Sequence, residues 1–249
     1  MSRVIAAVDD SAAAAAVLAM ARAVGEVLAA DVDAVNVGGG GGTAAAAAAR
    51  ADVPFRTLTG EPLPTLVALG DEDDVVSFVV GQRNRVRSGT TGHTALGIAD
   101  AVVQPVVVVP PDAAVPDRIR RVLVAMEGTP ARARQLRRAL SLASSAAELE
   151  VVVVHVDDEG SLPMFSDHAG YDTEAYAAEF LTRYAPGIPV TRLELRVGPP
   201  VEEILRTCDV ECPDLLAMGW PHHGRPGGGQ VARQVLERAT TPVLLVATV

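Results

Sequence analysis

The chain has 249 residues, of which 49% are hydrophobic; that is enough to bury the core of one large unit or two ordinary ones, and it excludes a disordered chain. A formal net charge of −10 excludes broad binding to nucleic-acid backbones, which takes a concentrated positive surface. All 21 basic residues are arginine, so chemistry that needs a lysine, such as a Schiff base or a Walker-type phosphate lysine, is excluded as well.

The opening residues Met1 to Val8 lack a basic region followed by a long apolar one, and the alanine-rich stretch Ala12 to Ala21 is too short to span a bilayer. The expectation is a soluble, cytoplasmic protein without membrane contact. Val4 to Val8 predicts a strand with Asp9 at its end, and Ser11 predicts the N-cap of a helix over Ala12 to Ala29. Gly38 to Gly42, followed by Thr43 and six alanines, predicts a flexible loop feeding a short helix. A helix over Leu63 to Leu69 comes next. The acidic run Asp71 to Asp74 then reads as a solvated turn rather than a cation site, ahead of a strand at Val75 to Val80. Ala95 to Val103 reads as a helix and Val106 to Val109 as a strand. Pro110 to Asp117 is proline-rich and polar, a semi-rigid linker, and divides the chain into domains 1–114 and 115–249.

Beyond it, Val122 to Met126 predicts a strand, and Thr129 with Pro130 supplies a cap and a preformed first turn for a helix over Ala131 to Ala147. A strand at Val151 to Val156 precedes an insertion, Asp157 to Asp172, that reads equally as a lid or as a disordered loop. Helices over Thr173 to Tyr184, Val201 to Thr207 and Ala232 to Ala239 lead to a last strand, Val243 to Val246. Apolar runs free of charge suit strands covered on both faces, and their alternation with helices predicts an α/β fold with a parallel sheet. Cys208 and Cys212, four apart in a helical stretch, would make a strained disulfide and read as reduced.

The two halves repeat. Asp9 matches Glu127 at an offset of 118, Gly81 matches Gly219 at 138, and Gly92 matches Gly229 at 137, while Gly60-Glu61-Pro62 is answered by Gly198-Pro199-Pro200. In an open parallel sheet the ligand crevice lies beyond the carboxyl ends of the strands, where strand order reverses. With the first strand central, Asp9 and Gly81 flank that crevice. Gly81 to His93 holds three glycines, three arginines and three hydroxyl residues before a helix that starts near Thr94, a composition that favours an anion such as a phosphate. The plain alternative is a solvated connecting loop.

Val8-Asp9-Asp10-Ser11, Gly60-Glu61-Pro62, the glycine segment and Pro105 to Pro110 together resemble a universal stress protein domain. Val122 to Pro130, Gly198 to Ile204, Met218 to Val231 and Thr241-Pro242-Val243 resemble it a second time. The resemblance implies two open parallel five-stranded sheets of order 3-2-1-4-5, with helices on both faces. It also implies pairing through the last strands, so that Val106 to Val109 and Val243 to Val246 form the seam of an internal pseudo-dimer; further pairing into a homodimer is left open. It implies an adenine nucleotide, ATP, ADP or AMP with Mg. Asp9 would accept from ribose or adenine, Gly81, Arg83 and Gly92 would surround the phosphates, Thr94 would donate from its backbone, and Val37 and Val156 would meet adenine edges.

Both halves depart from the family's ATP pattern. In the first, Asn84 stands where a second glycine is expected, and His93 follows Gly92 in place of a small hydroxyl residue. In the second, Glu127 replaces the aspartate, Pro221 removes an amide donor between Gly219 and Gly229, and Gln230, ahead of Val231, replaces the hydroxyl residue. Trp220 reads as loop cover ahead of a base-stacking role, and adjacent His222 and His223 diverge too much to chelate one metal ion. No nucleophile elbow is present and catalysis is not indicated. Two readings remain beside a weak ATPase: a regulatory stress-response protein that binds a nucleotide in the first crevice and contacts a partner protein, and a scaffold of the same fold that binds no nucleotide.

Overall fold

A computed structural model describes residues 1–82, 93–127, 149–157, 173–185, 190–221 and 229–248. The first half runs β1 (Arg3–Ala7), α1 (Ala14–Leu28), β2 (Asp31–Val37), α2 (Gly42–Arg50), β3 (Phe55–Leu58), α3 (Pro62–Leu69), β4 (Val75–Gly81), α4 (His93–Ala101) and β5 (Val106–Val109). Among the described residues the second half adds β6 (Arg121–Ala125), β7 (Glu150–Asp157), α5 (Thr173–Tyr184), β8 (Val190–Val197), α6 (Pro200–Glu211), β9 (Leu215–Pro221), α7 (Gln230–Arg238) and β10 (Val243–Thr248). The expected helix over Ala131 to Ala147, its Thr129 and Pro130 cap, and the insertion beyond Asp157 lie outside the described residues.

The strands form one ten-stranded sheet of order β3-β2-β1-β4-β5-β10-β9-β6-β7-β8. Each half therefore has the order 3-2-1-4-5, read inward from its outer edge to the middle. Within a half every pairing is parallel, while β5 and β10 meet antiparallel, with Val243 opposite Val108 and Leu245 opposite Val106. Both are short valine- and leucine-rich strands with no charge, so either one left unpaired would be an aggregating edge. The outer edges are built differently. On β8, Arg192 and Arg196 both pair with Glu194, and Arg192 also reaches Glu211 on α6, which puts charge where a further strand would dock.

Two apolar clusters cover the sheet, one on each face, and each continues through both halves. One gathers Val4, Val79, Val107 and Val109 with Val124, Ala217 and Val246 under α1, α2 and α5. The other gathers Ile5, Phe78 and Val108 with Leu123, Leu216 and Leu245 under α3, α4, α6 and α7. The segment after β5 contributes too, since Ala113 and Val115 pack against the first cluster.

The repeat holds at the level of hydrogen bonds. Ala7 is in register with Val80, as Ala125 is with Met218. At the amino ends of the central strands, Arg3 and Arg121 each hold a carboxylate of the neighbouring second strand, Asp33 and Glu150. Arg3 also binds Asp74 at 2.8 Å and contacts Glu72, so the acidic run after α3 serves a guanidinium at the end of the sheet away from the crevices. The Asp74 carboxyl is held below its ordinary range by that guanidinium.

Candidate functional site

Strand order reverses between β1 and β4 in the first half and between β6 and β9 in the second, so each half has one crevice at its carboxyl ends. Asp9 lies two residues beyond Ala7 and Gly81 one beyond Val80, which places them side by side across the first reversal. Asp9 is half-buried, and its Oδ1 accepts the Ser11 N–H at 3.0 Å. This turn displaces the expected cap: α1 starts at Ala14, and the residue before it, Ala13, makes no side-chain cap bond. Gly81 packs closely under the start of α1. A Cβ there would stand 3.3 Å from Val17 and 3.6 Å from Ala13, so this glycine has a packing role whatever binds beside it.

Asp10, which motif reading left without a role, organises the rim. Its carboxylate accepts the N–H groups of Gly41, Thr43 and Ala44 at 2.7, 2.9 and 3.0 Å. These are the free donors at the start of α2, so the anion position of that helix is filled by the chain's own carboxylate. The bonds to Ala44 and Gly41 hold the Asp10 carboxyl below its ordinary value. The run Gly38 to Gly42 is thereby pinned at its far end.

Beneath it lies Asn36, buried at 4% exposure, whose Nδ2 donates to the Val8 carbonyl at 3.0 Å. Its Oδ1 is buried without a partner. In the second half the same place is held by His155. Its Nδ1 donates to the Met126 carbonyl at 2.8 Å, since a carbonyl oxygen can only accept. Its Nε2 is 3.2 Å from Asp157 Oδ1, and its ring packs on Phe180 with centroids 4.5 Å apart.

At the second reversal, Glu127 is exposed two residues beyond Ala125, and Gly219 follows Met218 on β9. Trp220 is fully buried. Its Nε1 donates to Asp100 Oδ1 on α4 at 2.9 Å, and the Arg233 guanidinium lies 4.7 Å from its ring centroid. Gly229 has φ +75°, and a Cβ there would stand 2.9 Å from the Pro221 ring. Both facts call for glycine, and together they draw the start of α7 against the end of β9. Among the described residues no group of three or more His, Cys, Asp and Glu side chains is gathered that could hold a metal. No described helix is long and apolar enough to cross a membrane.

The model of the universal stress protein family matches residues 118–247, more than half of the chain. The chain belongs to the universal stress protein family. This universal stress protein is similar over 98% of its length to 98% of a universal stress protein from Archaeoglobus fulgidus DSM 4304, with a TM-score of 0.67 and 16% identity. It is similar over 99% of its length to 92% of a functionally unknown protein from Pseudomonas aeruginosa PAO1, with the same TM-score and 14% identity. At these identities the likeness is one of fold. No curated protein matches the sequence.

In this universal stress protein the structure puts Asp9, Gly81 and Thr94 around the first reversal, Thr94 as the second residue of α4, behind His93. Val37 ends β2 opposite Leu58, and Val156 lies one residue before the end of β7 opposite Arg196, both half-buried. Glu127, Gly219 and Gly229 frame the second reversal, with Gln230 exposed and Val231 half-buried at the start of α7. Arg83, Asn84, Gly92, His222 and His223 lie outside the described residues. Sequence reading passed over Asp10, Asn36, His155 and Gln82. The signal for Asn36 and His155 was their matching place in the repeat, one residue before Val37 and Val156.

Proposed function

We propose that this universal stress protein is a cytoplasmic regulatory binding protein whose first crevice takes an adenine nucleotide, with Mg accompanying its phosphates, and passes that occupancy on to a partner protein. Residues 1–114 and 115–249 are its two units. The observation that carries the reading is Asp9, a half-buried carboxylate at the carboxyl end of the central strand, beside Gly81 and opposite the start of α4. A carboxylate there accepts from ribose hydroxyls or an exocyclic amine, and the first turn of α4 offers free N–H groups to a phosphate. The second crevice is the poorer candidate, because Pro221 has no N–H to give and its ring packs on Gly229, while Trp220 is committed to Asp100.

Native mass spectrometry of freshly purified protein, with the denatured extract analysed for small molecules, tests this directly. One adenine nucleotide per chain, and a melting temperature that ATP raises in the parent chain but not in Asp9→Ala, is the expected result. No co-purified nucleotide and no response to ATP would reject it. That outcome favours the scaffold reading, which draws its support from the filled anion position of α2 and from the Pro221 ring packed on Gly229 beside the second crevice. Hydrolysis of ATP that needs magnesium and is lost in Asp9→Asn would instead make the protein an enzyme.

A further inference from the structure

Gln82 and Trp220 hold the same place in the repeat, each following the glycine, Gly81 or Gly219, near the carboxyl end of β4 or β9. Each crosses the seam. Gln82, buried at 7% exposure, donates from Nε2 to the Leu236 carbonyl on α7 at 2.9 Å. Trp220 donates from Nε1 to Asp100 on α4 at 2.9 Å. Since α4 is the helix next along the chain after β4, and α7 the one after β9, each strand end that opens a crevice is bonded to the helix that closes the other.

Both bonds land in the last turn of a helix, where backbone carbonyls lack intrahelical partners and negative charge is disfavoured. Gln82 satisfies one such carbonyl. Asp100 places a carboxylate where the helix itself resists one, and its compensation comes from the second half: the indole N–H, and Arg233 Nη2 at 3.8 Å from Oδ2.

We propose that Gln82 and Asp100 are positioning residues that act across the seam, so that each half fixes the strand end and helix framing the other half's crevice and the two crevices move as a coupled pair. The bonds are made by the chain alone and do not depend on what ligand either crevice takes. Coupling of this kind is reciprocal, so loosening in either half must be felt in the other.

Hydrogen exchange of the full chain tests the proposal without a ligand. In Gln82→Ala, amides in the last turn of α7 should exchange several-fold faster. In Asp100→Ala, peptides covering β9 should exchange faster and Trp220 emission should become more open to iodide quenching. Asp100→Asn, which keeps an acceptor oxygen for the indole, should restore both. Trp220→Phe, which keeps a ring and drops the donor, should loosen the end of α4. Increases confined to the substituted half, a uniform increase through both halves, or equal effects of Asp100→Ala and Asp100→Asn would each overturn it.

Discussion

Asn36 and His155 stand at equivalent positions in the two halves, and each donates a hydrogen bond to the carbonyl oxygen one residue past its half's first strand, Val8 at 3.0 Å and Met126 at 2.8 Å. An amide and an imidazole thus perform one task, closing the floor of a crevice on the side of α2 and of α5. Their surroundings differ. Asn36 leaves a buried oxygen unbonded, whereas His155 adds ring contact with Phe180 and an oxygen partner on Asp157.

Truncating the two therefore has unequal cost. Asn36→Ala loses one bond but also removes an unsatisfied buried acceptor, for a net loss of about 1 kcal/mol. His155→Ala loses the bond and the packing of a buried ring, for about 2 to 3 kcal/mol. Urea unfolding of both variants measures the difference, and equal losses would contradict the account of Asn36.

Asp10 gives a stability term with a definite pH range. Its folded-state pKa lies below its ordinary value of 3.8 because three backbone N–H groups favour the carboxylate. The stabilisation is complete above that ordinary value and is lost as the pH falls through the lower folded one. Asp10→Ala should melt a few degrees below the parent at neutral pH, and the gap should close as the pH drops below about 4. A gap that persists in acid would show that the side chain acts by packing.

The two cysteines should separate cleanly. Cys208 is buried, and desolvation, with Asp209 adding to it, pushes its thiol up to about 12, so it stays protonated at neutral pH. Cys212 is exposed just beyond α6. One equivalent of a thiol-specific disulfide reagent should react in the native protein, at Cys212, and the second only on unfolding. Peptide mapping that finds Cys208 modified first would refute this.

The parts of the fold that could be read from the sequence are those written in uninterrupted apolar runs. Val106 to Val109 and Val243 to Val246 needed to be covered on both faces and along both edges, and they form the seam. The edge strands escaped, because β3 carries an arginine and β8 two arginines and a glutamate inside the strand, so that both are interrupted by the very charges that protect an edge. At the site, Asp9 and Gly81 were legible because each marks the end of an apolar strand. Asp10 was not, since its partners are backbone N–H groups 31 to 34 residues away, at the start of a helix that is mostly alanine. The Trp220 bond spans 120 residues and joins the two halves, so no local pattern announces it.

The antiparallel meeting of β5 and β10 takes place inside one covalent chain, so an association that separate chains would owe to their concentration is set here by the tether. Dilution does not weaken it. Every molecule carries one crevice of each kind in a fixed one-to-one ratio, and the residues at the seam are released from self-complementarity. Gln82 and Trp220 are free to be an amide and an indole because neither ever has to meet a copy of itself.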